Sequence, residues 1–229
     1  MNNFLFGVYP YIAISVMIMV SIARYERDPF SWKSKSSQLL RKKQFVIGSV
    51  LFHLGVLVIL GGHFVGLLTP HWVYAPFISS GHKQMVAIVV GGIFGVMCLI
   101  GMTILLLRRL FHARVRATGS GRDLLILVLL YAQLLLGLSS ITQSFHHLDG
   151  SQMVKLGEWA QHIVTFRPGA AAYVADAHWI FKAHITLGLT IILITPFTRL
   201  VHVWSVPVGY LVRPYQVVRK RQASIRYPR

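Results

Sequence analysis

Of the 229 residues, 55% are hydrophobic and 13% charged, and the apolar residues gather into runs of about twenty, the length a helix needs to cross a bilayer. That pattern excludes a soluble globular protein, and with it the nucleic-acid partner that a net charge of +17 would otherwise suggest. Cys98 is the single cysteine, which excludes a disulfide framework, a thiolate set for an iron–sulfur cluster and a covalently attached haem.

The predicted fold is all-α, a single integral membrane domain over residues 1–229 with five spans. The first covers about 4–23; it lacks the basic start and small-residue cleavage site of a signal peptide and is read as a retained span. The second covers about 44–68, carries Gly61, Gly62 and Gly66, and ends at Thr69 and Pro70, because a residue before proline disfavours the α region. A short loop with His71, Trp72 and Tyr74 suits the water interface. The third span, about 85–107, carries Gly91, Gly92 and Gly95, with Cys98 as a small packing residue. Such glycines mean close helix packing or space cleared for a flat ring. The fourth covers about 124–142. The loop at 143–175 holds His146, His147, Asp149, Glu158 and His162, read as solvated groups, and a helix at about 151–165 capped by Ser151. The fifth span, about 177–203, contains Pro196, which should bend or break it. A tail follows from about 204 to 229.

Lys and Arg are distributed unevenly: seven in 24–43, five in 108–122 and seven in 199–229, against one in 69–84 and two in 143–175. Five spans put these groups on alternate sides, nineteen against three. The positive-inside rule then places the amino terminus outside and the carboxyl terminus in the cytoplasm. The cytoplasmic excess suits anionic lipid or a cytoplasmic subunit.

His53, His63, His184 and His202 lie inside the second and fifth spans, where an imidazole is costly without a partner. The two spans run in opposite directions. His53 and His202 therefore fall near the cytoplasmic face, and His63 and His184 in the outer half. Two antiparallel helices bearing paired histidines can hold two six-coordinate haems of b type. The spacing fits imperfectly: His53 and His63 come about 15 Å apart along an ideal helix, His184 and His202 about 27 Å. His71 matches the longer spacing and rivals His63, although Pro70 should put it at or beyond the helix end.

The stretches LFHLGVLVILGGHFVGLLTPHW (51–72), RVRATGSGRDLLIL (114–127) and PFTRLVHVWSVPVGYL (196–211) closely resemble the γ subunit of membrane-bound respiratory nitrate reductase, a cytochrome b anchor in prokaryotic cell membranes. The resemblance covers essentially the whole chain. It implies an inner haem b on His53 and His202 and an outer haem b on His63 and His184, which selects His63 over His71. It also implies a quinol site, for menaquinol or ubiquinol, at Lys83 and Gly62. The loop around Lys83, APFISSGHK, resembles the family least, and His82 beside it is a candidate for a shared role.

The resemblance further implies that quinol is oxidised at the outer side and its electrons pass through the two haems to a cytoplasmic iron–sulfur subunit and a molybdenum-containing catalytic subunit. Alone, this chain has no site for nitrate. Lys83, almost the only outer cation, begins a helix, where the dipole disfavours it. Arg109, Arg199 and Lys182 are candidates for pairing with haem propionates. One rival is a related cytochrome b subunit feeding a sulfur-compound or heterodisulfide reductase. Another is a histidine-based proton or metal transporter, disfavoured by the scarcity of carboxylates in the spans.

Overall fold

The computed structural model describes residues 1–32, 37, 39–146, 148–205 and 212. His147 and most of the basic tail therefore lie outside the described residues. Those described form helices and turns, with no strand among them. In chain order the α-helices are α1 (Tyr9–Arg27), α2 (Lys42–Leu68), α3 (His71–Tyr74), α4 (Ser80–Phe111), α5 (Ala113–Ala117), α6 (Gly121–Ser144), α7 (Ser151–Val164) and α8 (Trp179–Ile194). A π-helical turn, Phe4–Val8, leads into α1.

Five of these are long and apolar enough to cross a membrane: Phe4–Arg27, Lys42–Leu68, Ser80–Phe111, Gly121–Ser144 and Trp179–Phe197. They pack in the order α2, α4, α6, α8, α1. Large apolar side chains face outward along them, Leu57 and Phe64 of α2 at 66% and 68% exposed. In water such a surface would be an aggregation hazard, whereas hydrocarbon solvates it.

Glycines divide into two kinds. A Cβ on Gly55 would stand 2.7 Å from Cβ of Cys98, and one on Gly101 would stand 2.5 Å from the Phe52 nitrogen. These glycines bring α2 and α4 into close contact, with Cys98 buried in the seam. Gly95 is similarly closed by Leu138. By contrast, a Cβ on Gly61, Gly62, Gly66 or Gly91 would meet nothing within 4 Å. The expected close packing holds at Gly95, while Gly61, Gly62, Gly66 and Gly91 face open space.

Helix ends follow their local chemistry. Ser79 accepts a hydrogen bond from the His82 backbone to start α4, and Ser120 and Asp123 form a reciprocal capping box on α6. The cap of α7 is Gly150 and not Ser151, whose hydroxyl instead donates to the Asp149 carboxylate at 3.0 Å. Gly150 has φ of +82°, and a Cβ there would lie 2.5 Å from the Ser80 backbone. Only glycine combines that conformation with that approach. The start of α7 is thereby fastened against the start of α4.

Around α7 sits a buried cluster of Phe6, Trp159, Ile163, Val174 and Phe181. The Trp159 indole donates to the Phe6 carbonyl at 2.9 Å. This cluster joins the long loop to the beginnings of α1 and α8 and fixes α7 across the end of the bundle.

Pro196 acts as its ring demands. The α-helix stops at Ile194, a 3₁₀ turn covers Thr195–Phe197, Thr198 is extended, and a second 3₁₀ segment covers Arg199–Ser205. His202 is in that last segment, so the expected limit of the fifth span near 203 is too long. The 27 Å separation assumed one continuous helix and does not apply.

Candidate functional site

Four histidines are the first group to place. His53 and His63 project from α2, His184 from α8, and His202 from the 3₁₀ segment beyond Pro196. The rings of His63 and His184 face each other with centroids 6.0 Å apart and planes tilted by 35°. His53 and His202 make no such ring contact among the described residues.

The nitrogen not facing the partner is informative. Nδ1 of His53 donates to the Ser49 carbonyl at 2.8 Å, Nδ1 of His63 to the Ile59 carbonyl at 2.8 Å, and Nδ1 of His202 to the Arg199 carbonyl at 2.5 Å. A carbonyl only accepts, so Nδ1 carries a proton, and in the neutral ring the lone pair then lies on Nε2. Metal-bound histidines carry this same outer bond, which orients the ring and raises its basicity.

His184 is held differently. Gln133 of α6 donates to the His184 carbonyl at 3.0 Å, and its side-chain nitrogen lies 3.4 Å from His184 Nε2. A Cβ on Gly137 would stand 3.0 Å from the imidazole. A glycine there lets α6 close over the ring. Nδ1 of His184 is buried and has no hydrogen-bond partner among the described residues. The sequence analysis missed Gln133; a lone glutamine within an apolar span was the signal for it.

Of the two pairs, His63 and His184 have the separation that a b haem requires. Bonds from a metal to an imidazole nitrogen run at about 2.0 Å, so two axial rings across one ion have centres about 6 Å apart. The His63–His184 separation matches. Among the described residues no three His, Cys, Asp or Glu side chains cluster as a metal site, and a bis-histidine haem requires only two.

A second group lies at the outer-loop end of α2. The last carbonyls of a helix have no partner within it, and here side chains from two other helices supply them. Lys83 of α4 donates to the Gly66 carbonyl at 3.1 Å, and Gln161 of α7 donates to the Leu67 carbonyl at 3.0 Å. The Lys83 ammonium also stands 3.7 Å from the centre of the Tyr74 ring. Lys83 begins α4, where its charge is disfavoured, yet it sits at the carboxyl end of α2, where the dipole favours a cation.

Lys83, Gly66, His71, Tyr74, Glu158 and Gln161 line a common recess. His71 thus falls beside Lys83, after the end of α2 at Leu68, as Pro70 requires. His82 does not line the recess; its Nδ1 is engaged with the Ser79 hydroxyl at 2.8 Å. Gly62 is one turn before Gly66 on α2 and adjoins His63. In the long loop, His162 approaches Glu158 at 3.9 Å and the Tyr173 hydroxyl at 3.3 Å.

Of the cations considered for propionates, Lys182 donates to the Ala175 carbonyl at 2.6 Å. Arg199 lies 3.9 Å from Asp123. Burial lowers the pKa of its guanidinium, and the carboxylate of Asp123 opposes that shift. Arg109 packs over Gly119, where a Cβ would be 1.7 Å from its Nη1.

Residues 2–221 match the family model described as nitrate reductase gamma subunit. The chain belongs to the nitrate reductase gamma subunit family. It is 50% identical over 221 residues to the respiratory nitrate reductase 1 gamma chain of Escherichia coli, covering 96% of this chain and 98% of that one. To the nitrate reductase gamma chain of Bacillus subtilis it is 42% identical, covering 96% and 99%. A more distant similarity, 27% over 77% of this chain and 52% of the other, joins it to the Hdr-like menaquinol oxidoreductase cytochrome b-like subunit of Archaeoglobus profundus. As a member of the gamma subunit family, the chain is one subunit of a multi-subunit oxidoreductase.

Proposed function

We propose that this gamma subunit is a di-haem cytochrome b that oxidises quinol, menaquinol or ubiquinol, at the outer face of the membrane. It relays the electrons towards a cytoplasmic iron–sulfur subunit and, through it, a molybdenum-containing subunit that reduces nitrate. The observation that carries this reading is the facing pair His63 and His184, 6.0 Å between ring centres, with the His63 proton held on Nδ1.

His63, through Nε2, and His184 would hold the outer haem, and His53 and His202 the inner one. When bound, the haems supply reversible one-electron chemistry. The backbone carbonyls behind His53, His63 and His202 fix the tautomer and orientation of each ring. Beside the outer pair, Lys83 offers an ammonium to a quinol oxygen. On the α2 side, Gly62 and Gly66 present no side chain and leave space beside the helix, which suits a flat ring. His71 and Tyr74 supply further polar edges in the same recess.

With the amino terminus outside, as the lysine and arginine distribution indicates, protons from quinol leave to the outside. Electrons move inward against a negative-inside potential, which opposes each by about 2.3 kcal/mol per 100 mV. The fall in redox energy is stored as membrane potential. The nineteen cytoplasmic cations suit both anionic headgroups and an acidic partner surface.

The similarity to a menaquinol oxidoreductase subunit favours one second reading, in which the same quinol module feeds another terminal reductase. Co-purification separates the two. Nitrate-reducing subunits held by this chain support the first reading, and a stable complex with a different reductase supports the second.

Pairing of the ligands gives the direct test. His63→Ala and His184→Ala each remove the same haem, and His53→Ala and His202→Ala each remove the other. Optical and EPR spectra of the four variants check this. Loss of different haems from the two members of a pair would overturn the assignment.

A further inference from the structure

His202 is separated from α8 by the break at Pro196, so α8 does not by itself determine where its ring points. The break also releases backbone carbonyls from the helical ladder. One guanidinium collects them. Arg24, in the last turn of α1, donates from Nη1 to the Pro196 carbonyl at 2.6 Å and to the Thr198 carbonyl at 3.2 Å. Its Nε donates to the Ser31 hydroxyl at 3.0 Å and its Nη2 to the Ser31 carbonyl at 2.7 Å.

Ser31 is fixed in turn, its hydroxyl donating to the Asp28 carbonyl at 2.7 Å. At the far end of the segment, Ser205 donates to the Trp32 carbonyl at 2.9 Å. The segment bearing His202 is therefore fastened at one end to Arg24 of α1 and at the other to the turn that follows α1. Arg199, whose carbonyl orients the His202 ring, is the residue after Thr198.

We infer that Arg24 is the positioning residue for His202, setting the register of residues 198–205 through the carbonyls of Pro196 and Thr198. The inference rests on reading His202 as an axial ligand. A guanidinium is needed because its rigid planar fork serves both strands at once, whereas an ammonium on a flexible stem cannot span them. A general stabilising contact would affect both haems alike; a positioning residue affects the His202 haem alone.

The test compares purified wild-type complex with Arg24→Lys, Arg24→Gln and the milder Ser31→Ala. Redox titration and low-spin EPR are read for each haem, and hydrogen exchange across residues 198–205. In Arg24→Gln the expected result is a shifted potential and altered g-values for the His202 haem, with the His63–His184 haem unchanged. Exchange over 198–205 rises about tenfold, the loss expected for charged hydrogen bonds. Arg24→Lys does not restore the signal, and Ser31→Ala gives a smaller change in the same haem. Equal changes in both haems, or no change in either with exchange unaltered, would overturn the inference. A wild-type complex without haem would defeat the proposed function, while the exchange result would still decide whether Arg24 holds the segment.

Discussion

At the scale of single residues, several polar groups in the apolar helices have a receiving group close by. His63 shows how the sequence achieves this: the carbonyl four residues earlier binds Nδ1, and the ring lies 6.0 Å, centre to centre, from that of His184. Lys83 is a second case, its ammonium taken up by the Gly66 carbonyl and the Tyr74 ring. If Lys83 presents that charge to quinol, Lys83→Ala loses a charge-assisted hydrogen bond of about 1.5–3 kcal/mol. Quinol-driven haem reduction then falls by tenfold or more while dithionite still reduces both haems, as stopped-flow absorbance would record. An unchanged quinol rate would remove Lys83 from the site. The histidines were legible in the sequence because ionisable groups in long apolar runs stand out. The surroundings of Lys83 were not, since Tyr74 and the α7 residues Glu158 and Gln161 come from two separate stretches that only folding brings to it.

At the scale of elements, the division of the glycines makes a claim that can be checked. Gly55 and Gly101 sit where α2 and α4 touch, and added methyl groups there meet backbone and Cys98 at under 3 Å. Gly55→Val should therefore cost about 1–3 kcal/mol through overpacking and lower the thermal midpoint of the detergent-solubilised protein. Gly62→Val, on the open face beside His63, should leave that midpoint unchanged and weaken quinol binding, read as a raised KM. Equal loss of stability in both variants would contradict the division. Five spans were legible because their length and apolarity are set by the bilayer, and the consequence of Pro196 was legible because its ring permits little else. The cap of α7 was misread as Ser151, since a left-handed glycine fastened to Ser80 depends on a distant contact that local sequence does not carry. The fifth span was drawn too long for a related reason: hydropathy continues past Ile194, while the backbone does not.

At the scale of the whole molecule, α2 and α8 bring their histidines to one end of the bundle as a facing pair, and α4 and α7 close the recess beside that pair. The cluster around Trp159 joins α7 to α1 and α8. These features support the proposed reading of a membrane subunit that carries electrons, in which bound haem would supply the redox chemistry and this chain its placement. The central claim is that the four histidines hold two haems. It is tested most directly by a reduced-minus-oxidised optical spectrum of the purified subunit, with haem extracted by acid and counted against protein. The account predicts two extractable b haems per chain, with a low-spin bis-histidine spectrum. A folded preparation, made with haem supplied, that contains none would contradict it.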